Sequence, residues 1–252
     1  CISNKFKINY FFNFNHPYQK LIRYYLEFFN ECKKQNINLV KKNLSIQTFS
    51  NVSIRIDKNY FTIKPSGVFP NKIKIKDCPV IRISDGKKIK GKYRPSTDTP
   101  THQILYKKFK DLKSVSHTHS KFATAWAQSG KSIPIYGTTH SDYWTSEVPI
   151  ARYVTKKELK FYEKNTGNVI IECLKKRKLT IKTCPGVLVP GHGTFCWGDN
   201  YDKAVQYSEM LEFIAELAYY SQRIKFSKKL PDYISKKHFE RKFGKKKYYG
   251  QK

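Results

Sequence analysis

With 252 residues, 39% of them hydrophobic and 15% aromatic, the chain can build a core and suits one sizeable domain or two small ones. Lys and Arg number 49 against 19 Asp and Glu, a formal charge of +30 that points to nucleic acid or an anionic surface. The lysines run from Lys5 to Lys252, and only Lys236-Lys237, Arg241-Lys242 and Lys245-Lys246-Lys247 cluster, so the charge reads as a chain-wide bias and a nucleic-acid partner is not expected.

From Tyr18 to Cys32 the apolar positions Leu21, Ile22, Tyr25, Leu26 and Phe29 recur at three and four, which predicts a helix burying one side. Val52 to Ile56 and Tyr60 to Ile63 alternate as two strands around a turn at Asp57-Lys58-Asn59, and Lys64-Pro65-Ser66-Gly67 turns away at their end. Pro79 to Ile83 is predicted as a strand before a turn at Asp85-Gly86, and Thr101 to Phe109 as a helix opened by Thr99-Pro100. Then come a strand from Val115 to His119, a helix from Lys121 to Gln128, and a short strand from Ile133 to Tyr136 ended by Gly137. Val169-Ile170-Ile171 and Val187-Leu188-Val189 are predicted as buried strands, and Tyr201 to Gln222 as a long helix with Ala204, Leu211, Ile214, Ala215 and Ala218 inward. Strands alternating with helices predict an α/β fold. The connections at 71–92 and 174–183 are short, with no Gly/Ser-rich spacer and no internal repeat, so a single domain is expected.

No apolar run approaches the ~20 residues that span a bilayer, so no membrane partner is expected. Six cysteines without a Cys-x-x-Cys pair favour free thiols in a reducing compartment, the cytoplasm. The opening Cys1-Ile2-Ser3-Asn4-Lys5 lacks both an initiator methionine and signal-peptide character, so the true N-terminus is expected to differ.

The chemistry begins at Ser116-His117-Thr118-His119-Ser120, because side chains at i and i+2 of a strand share a face and can offer two imidazoles to one ion. Upstream, Asp98 sits in the polar turn Pro95 to His102; downstream, His192 stands between Gly191 and Gly193, which favour close backbone approach. Three imidazoles and a carboxylate suit a zinc-like dication with room for substrate. Blander readings stay open. Asp98 is also placed to cap the helix beginning near Pro100, and His192 also reads as an ordinary loop histidine. Asp142 reads as a turn aspartate, Tyr249 as part of a disordered tail, and Ser66-Gly67 and Ser96-Thr97 as plain turns.

Lys64-Pro65-Ser66-Gly67-Val68, Pro95-Ser96-Thr97-Asp98-Thr99-Pro100-Thr101-His102, His117-Thr118-His119-Ser120, Gly137-Thr138-Thr139-His140-Ser141-Asp142-Tyr143 and Tyr248-Tyr249-Gly250-Gln251 follow one another in fixed order. That order resembles the class II aldolase family in its L-ribulose-5-phosphate 4-epimerase branch, from about Leu39 to Gln251. The domain then spans 1–252, with 1–16 a loosely matched N-terminal extension. The resemblance implies a three-layer α/β/α sandwich around a largely antiparallel sheet. It also implies metal-dependent epimerisation of L-ribulose 5-phosphate to D-xylulose 5-phosphate, by retro-aldol cleavage and re-addition through an enediolate. One divalent ion per subunit, zinc first among candidates, would be held by His117, His119 and His192, with Asp98 as a fourth ligand. Asp142 and Tyr249 would be the acid–base pair, supplied by a neighbouring subunit of a homotetramer with its active sites at subunit interfaces. Ser50, Asn51, Lys64, Ser66, Gly67, Ser96 and Thr97 would bind the sugar phosphate, and His102, His140, Glu163 and His238 would orient other groups.

The alternatives are a class II sugar-phosphate aldolase and a basic nucleic-acid-binding remnant of the scaffold. The chain departs from the usual epimerase pattern in reading Thr48-Phe49-Ser50-Asn51-Val52-Ser53 for Thr-Trp-Gly-Asn-Val-Ser, where a serine would be strained if φ were positive. It also reads Val189-Pro190-Gly191-His192 for Val-His-Ser-His, and Ser96-Thr97 for Ser-Ser.

Overall fold

The computed structural model describes residues 17–224, 227–245 and 247–250, with side chains from residue 25 onward apart from Lys76. The expected extension at 1–16, Cys1 and Gln251 lie outside the described residues. Helix α1 (Pro17–Lys41) runs past the expected end at Cys32, because Leu39 extends the buried stripe of Phe28, Phe29 and Cys32. Strands β1 (Asn51–Arg55) and β2 (Tyr60–Ile63) form the expected hairpin. Its turn is closed by the Asp57 carboxylate, which accepts the N–H groups of Asn59 and Tyr60 at 2.7 and 2.9 Å. Strand β3 (Val80–Arg82) follows, then β4 (Lys88–Lys90), an exposed lysine-bearing edge with no apolar face to reveal it in the sequence.

Helix α2 (Thr99–Lys108), β5 (Ser114–Thr118) and α3 (Lys121–Gln128) stand close to their expected places. The segment Ile133 to Tyr136 is not a strand; it makes a single bridge, from Ile133 to Val148, before the short helix α4 (Thr138–Ser141). Val169-Ile170-Ile171 is not a strand either and lies within helix α5 (Tyr162–Lys176). Its buried positions Thr166, Gly167, Val169, Ile170, Cys173 and Leu174 repeat at helical spacing, and the apolar triplet alone concealed that period. Strands β6 (Gly186–Val189) and β7 (Gly193–Gly198) form a hairpin, followed by α6 (Lys203–Arg223) and α7 (Asp232–Phe243). All of β7 is buried, so it shows no alternation to betray it, and α7 was hidden in the run of basic residues.

All seven strands join one sheet in the order β4-β3-β2-β1-β5-β7-β6, every neighbouring pair antiparallel. Helices cover both faces, as the α/β/α expectation requires. On one face Ser116 of β5 donates to the Ala204 carbonyl of α6 at 2.9 Å, and Asn36 of α1 bonds the Val52 backbone of β1. On the other, Tyr106 of α2 packs on Phe61 at 5.0 Å between centroids, and His102 of α2 on Phe195 of β7 at 5.8 Å. Trp126, Trp144 and Trp197 are buried with each indole N–H donating to a backbone carbonyl, so their bulk is gained without an unpaired donor. The five described cysteines are buried free thiols. Among the described residues no helix is long and apolar enough to cross a membrane.

Candidate active site

Strand periodicity decides which way the first histidine faces. In the β1–β5 register His117 pairs with Asn51, and His117 turns toward the α2 side of the sheet while Ser116 turns toward α6. Its Nδ1–H donates to the Thr194 carbonyl at 2.9 Å, which leaves the Nε2 lone pair free, and its ring stacks on Phe195 at 4.3 Å. His119, just past the end of β5, places its Nε2 2.9 Å from His117 Nε2. With His117 Nε2 committed as an acceptor, that approach is satisfied by a shared proton or a shared cation. His192, in the β6–β7 turn, brings its ring centroid to 4.7 Å from His117 and 5.0 Å from His119. One ring nitrogen from each of the three lies within 4.8 Å of the others, a spread that brackets the roughly 3.3 Å between ligands of a four-coordinate ion with metal–nitrogen bonds of about 2.0 Å. Gly193 makes this convergence possible. A Cβ there would stand 2.5 Å from the Thr118 carbonyl oxygen and 3.4 Å from ring carbons of His117 and His119.

Asp98 occupies the N-cap position of α2, yet its carboxylate makes no capping bond. It accepts Asn51 Nδ2–H at 2.7 Å and lies 4.0 Å from His117 Nε2, so of the two roles open to it the side chain adopts the one facing the histidines. Burial pushes this carboxyl up, and His117, His102 and the Asn51 bond together bring it below its ordinary value. Burial also lowers His117 and His119 and takes His192 down to about 4, so the imidazoles are uncharged at neutral pH and the Asn51 bond is the contribution that persists there. Three neutral nitrogen donors beside one anion fit a divalent cation.

The expected phosphate-binding residues also draw together. Ser66 N–H donates to the Arg94 carbonyl and Ser96 N–H to the Lys64 carbonyl, at 2.9 and 3.0 Å, which joins the 64–67 and 94–97 turns side by side. Lys64 is only 1% exposed, and among the described residues its Nζ reaches just the Thr48 and Pro65 carbonyls, at 3.3 and 3.4 Å. Burial pushes it down to about 8, against the pull of Asp98. Gly67 has φ +68 and open space where a side chain would begin, so the turn conformation itself calls for glycine. Ser50 is buried, bonds Ser45 through its hydroxyl and has no left-handed backbone, so this departure from the usual glycine brings no strain. Ser96, Thr97 and Glu163 border a cavity of about 610 Å³ that Lys107, Lys160 and Lys164 also line.

Asp142 and Tyr249 meet each other rather than the histidines. Asp142, at the end of α4, is held by Arg241 of α7 at 2.9 to 3.2 Å and by His238 at 3.3 Å. Tyr249 N–H donates to the Arg241 carbonyl at 3.1 Å. Among the described residues no bond or ring contact joins either of them to the three imidazoles. Of the orienting candidates, His238 sits on Asp142 and Glu163 lends its carbonyl to Thr101. His140 bonds the Ser146 carbonyl at 3.0 Å and is taken by burial to about 4. His102 donates from Nδ1 to Ser53 Oγ at 2.7 Å, Ser53 in turn to the Tyr106 hydroxyl, and burial takes this imidazole to about 3.

Sequence reasoning missed Thr194, which acts through its backbone, and Tyr162, whose hydroxyl lies 3.4 Å from His192 Nδ1. It also missed Arg241, one cation among 49.

Comparison with known proteins adds to this geometry. The class II aldolase and adducin N-terminal domain matches residues 33–219. An L-ribulose-5-phosphate 4-epimerase UlaF of Salmonella paratyphi B is 42% identical over 220 residues, 86% of this chain and 95% of that protein. A probable L-ribulose-5-phosphate 4-epimerase UlaF of Mycoplasma pneumoniae is 40% identical over 230 residues, 88% of this chain and 95% of its own. Among solved structures, an L-fuculose 1-phosphate aldolase superposes with a TM-score of 0.72 at 23% identity, covering 85% of this chain and 95% of that one.

Proposed function

The chain belongs to the class II aldolase and adducin family, and from that membership we propose that it interconverts L-ribulose 5-phosphate and D-xylulose 5-phosphate. The observation that carries the reading is the convergence of His117, His119 and His192 beside Asp98, in a chain whose 40% and 42% identical relatives bear that activity in their names. Catalysis on this reading divides among four groups of residues.

The inverted carbon is two bonds from the ketose carbonyl, so its C–H bond is not acidic and direct proton abstraction fails. Opening the bond between the third and fourth carbons gives an enediolate and glycolaldehyde phosphate; turning the aldehyde over before the bond re-forms inverts the centre. His117, His119 and His192 would hold one divalent cation per subunit, zinc for choice, with Asp98 as a fourth donor that substrate can displace. When bound, the cation supplies Lewis acidity at the ketose oxygens, worth several kcal/mol against the charge that develops there. Thr194 keeps His117 in the tautomer this requires, and Asn51 holds the Asp98 carboxylate in place.

Lys64, with Ser50, Asn51, Ser66, Gly67, Ser96 and Thr97, would take the phosphate; hydroxyls, turn amides and one buried cation are the groups a phosphate needs. Asp142 and Tyr249 would exchange protons with the substrate hydroxyl on opposite faces of the aldehyde. The family resemblance assigns them to the histidine site of a neighbouring copy in a homotetramer, and their separation from the histidines within one chain accords with that assignment. A single domain working in the cytoplasm completes the reading.

The similarity to an L-fuculose 1-phosphate aldolase favours sugar-phosphate aldolase as the second reading. Incubating zinc-loaded protein with L-ribulose 5-phosphate separates them. Xylulose 5-phosphate is the expected product. Net release of dihydroxyacetone and glycolaldehyde phosphate would make the protein an aldolase, and no turnover of either kind would sink both readings.

A further inference from the structure

We propose that Arg241 is the positioning residue that sets Asp142 and Tyr249 in fixed relation to each other; the inference rests on the acid–base roles assigned to those two residues above. Asp142 ends a four-residue helix, too short to hold its carboxylate in one orientation unaided. Arg241 projects from the twelve-residue α7 and grips that carboxylate with two nitrogens, Nε at 3.2 Å and Nη2 at 2.9 and 3.1 Å from its oxygens. A planar guanidinium bound this way fixes the plane of the carboxylate as well as its distance.

The same residue holds the tyrosine. Its backbone carbonyl accepts the N–H groups of Tyr248 and Tyr249, at 3.0 and 3.1 Å, and its guanidinium carbon lies 5.0 Å from the centre of the Tyr249 ring. Carboxylate and phenol, contributed by distant parts of the chain, are thus registered against one side chain and one peptide unit. Lys242 steadies the aromatic side, 4.0 Å from the centre of the Tyr143 ring and 4.9 Å from that of Tyr249. The pair is shielded, with the Arg241 and Asp142 side chains 25% and 12% exposed, so it is not one of the loose surface ion pairs that contribute little.

Arginine has a chemical advantage here. It does not deprotonate in proteins, so it can orient Asp142 without competing for the substrate's proton, whereas lysine offers a point charge that can lose its own. His238, three residues earlier on α7, approaches the same Asp142 oxygen at 3.3 Å and completes the clasp.

The test uses full-length Arg241→Ala, Arg241→Lys, Asp142→Asn and the Arg241→Ala/Asp142→Asn double variant, each loaded with zinc. Turnover of L-ribulose 5-phosphate, zinc content and assembly size are measured for each. Arg241→Ala is expected to lose on the order of 100-fold in kcat with KM and zinc content little changed, the scale that misplacing a reacting group by about 1 Å produces. Guanidinium ion at millimolar concentration is expected to restore part of that loss, and Arg241→Lys to retain only part of the rate. The double variant is expected to be slower than Asp142→Asn by far less than that 100-fold, because most of the effect of Arg241 passes through Asp142 and only the Tyr249 contact remains to be lost.

A near-wild-type kcat in Arg241→Ala, with Asp142→Asn crippled, overturns the role of Arg241 and leaves that of Asp142 standing. Losses that multiply in the double variant, with no rescue by guanidinium, overturn it equally. Normal turnover in Asp142→Asn instead sinks the underlying assignment. If Arg241→Ala fails to fold, Arg241→Lys decides: a kcat loss at constant KM supports the inference and a wild-type rate overturns it.

Discussion

Replacing Gly193 with alanine puts a methyl carbon 2.5 Å from the Thr118 carbonyl oxygen, on backbone that cannot swing aside as a side-chain end would. An unstrained carbon–oxygen contact is about 3.3 Å, so β7 must withdraw from β5 by about 0.8 Å. The withdrawal falls at the Thr118–Thr194 register pair, which carries the carbonyl that orients His117, and next to the turn that carries His192. Metal–ligand distances tolerate only about 0.2 Å, so the shift exceeds the tolerance about fourfold although no ligand has been removed. Overpacking of this kind costs about 1–3 kcal/mol in stability, and loss of a ligand's orienting partner costs about 10- to 100-fold in metal affinity. Competition for zinc against a chromophoric chelator measures the second effect, and thermal unfolding of the metal-free proteins measures the first. Gly137→Ala is the control, since a Cβ there meets nothing within 4 Å. Wild-type zinc affinity in Gly193→Ala would refute the claim that β7 is held close to β5 for the sake of the site.

Other outcomes follow from the same geometry. His119→Ala is expected to lose zinc and turnover together, whereas Asp142→Asn keeps its zinc and loses about 10²- to 10⁴-fold in kcat; zinc analysis beside steady-state kinetics checks both. Lys64 is pushed down to about 8, so it is charged below that pH and neutral above it. KM for the anionic substrate is therefore expected to rise as pH passes upward through about 8, and in Lys64→Met to be high throughout and to lose that step. His102 is pushed from its ordinary value of 6.5 to about 3, so below pH 6.5 the unfolded chain takes up a proton that the folded one refuses. The stability from burying this neutral ring is present above pH 6.5 and is lost as pH falls toward 3, on the order of 5 kcal/mol at 1.36 kcal/mol per pH unit. Urea unfolding at pH 7 and pH 4 should show a smaller difference in His102→Gln than in wild type.

Much of the histidine centre was legible because it rests on rules of local geometry. His117 and His119 are two apart at the end of a strand, and the glycine beside His192 marked the close approach that Gly193 provides. The capping alternative for Asp98 could not be settled from spacing, since a carboxylate at that position can face either way; the Asn51 bond turns it toward the histidines. What stayed hidden had no side-chain pattern to read. Thr194 contributes a carbonyl, β7 is buried on both faces, and the β-branched triplet Val169-Ile170-Ile171 imitates a strand inside a helix whose period shows only over its full length. Arg241 and α7 were masked by the lysine-rich background, in which no single cation stands out. Asp142 and Tyr249 were suggested by family resemblance alone, because the contact that unites them is long-range and passes through Arg241.

The division of the active site between copies of the chain is tested most directly by complementation. His119→Ala keeps Asp142 but no complete metal site; Asp142→Asn keeps the metal site but no carboxylate. Each is inactive alone on this reading. Co-expressed in equal amounts and purified as mixed assemblies, they are expected to regain roughly a quarter of wild-type epimerase activity per site, the fraction of interfaces at which an intact metal site faces an intact Asp142. Mixed assemblies that stay as inactive as either parent would contradict a site shared between subunits.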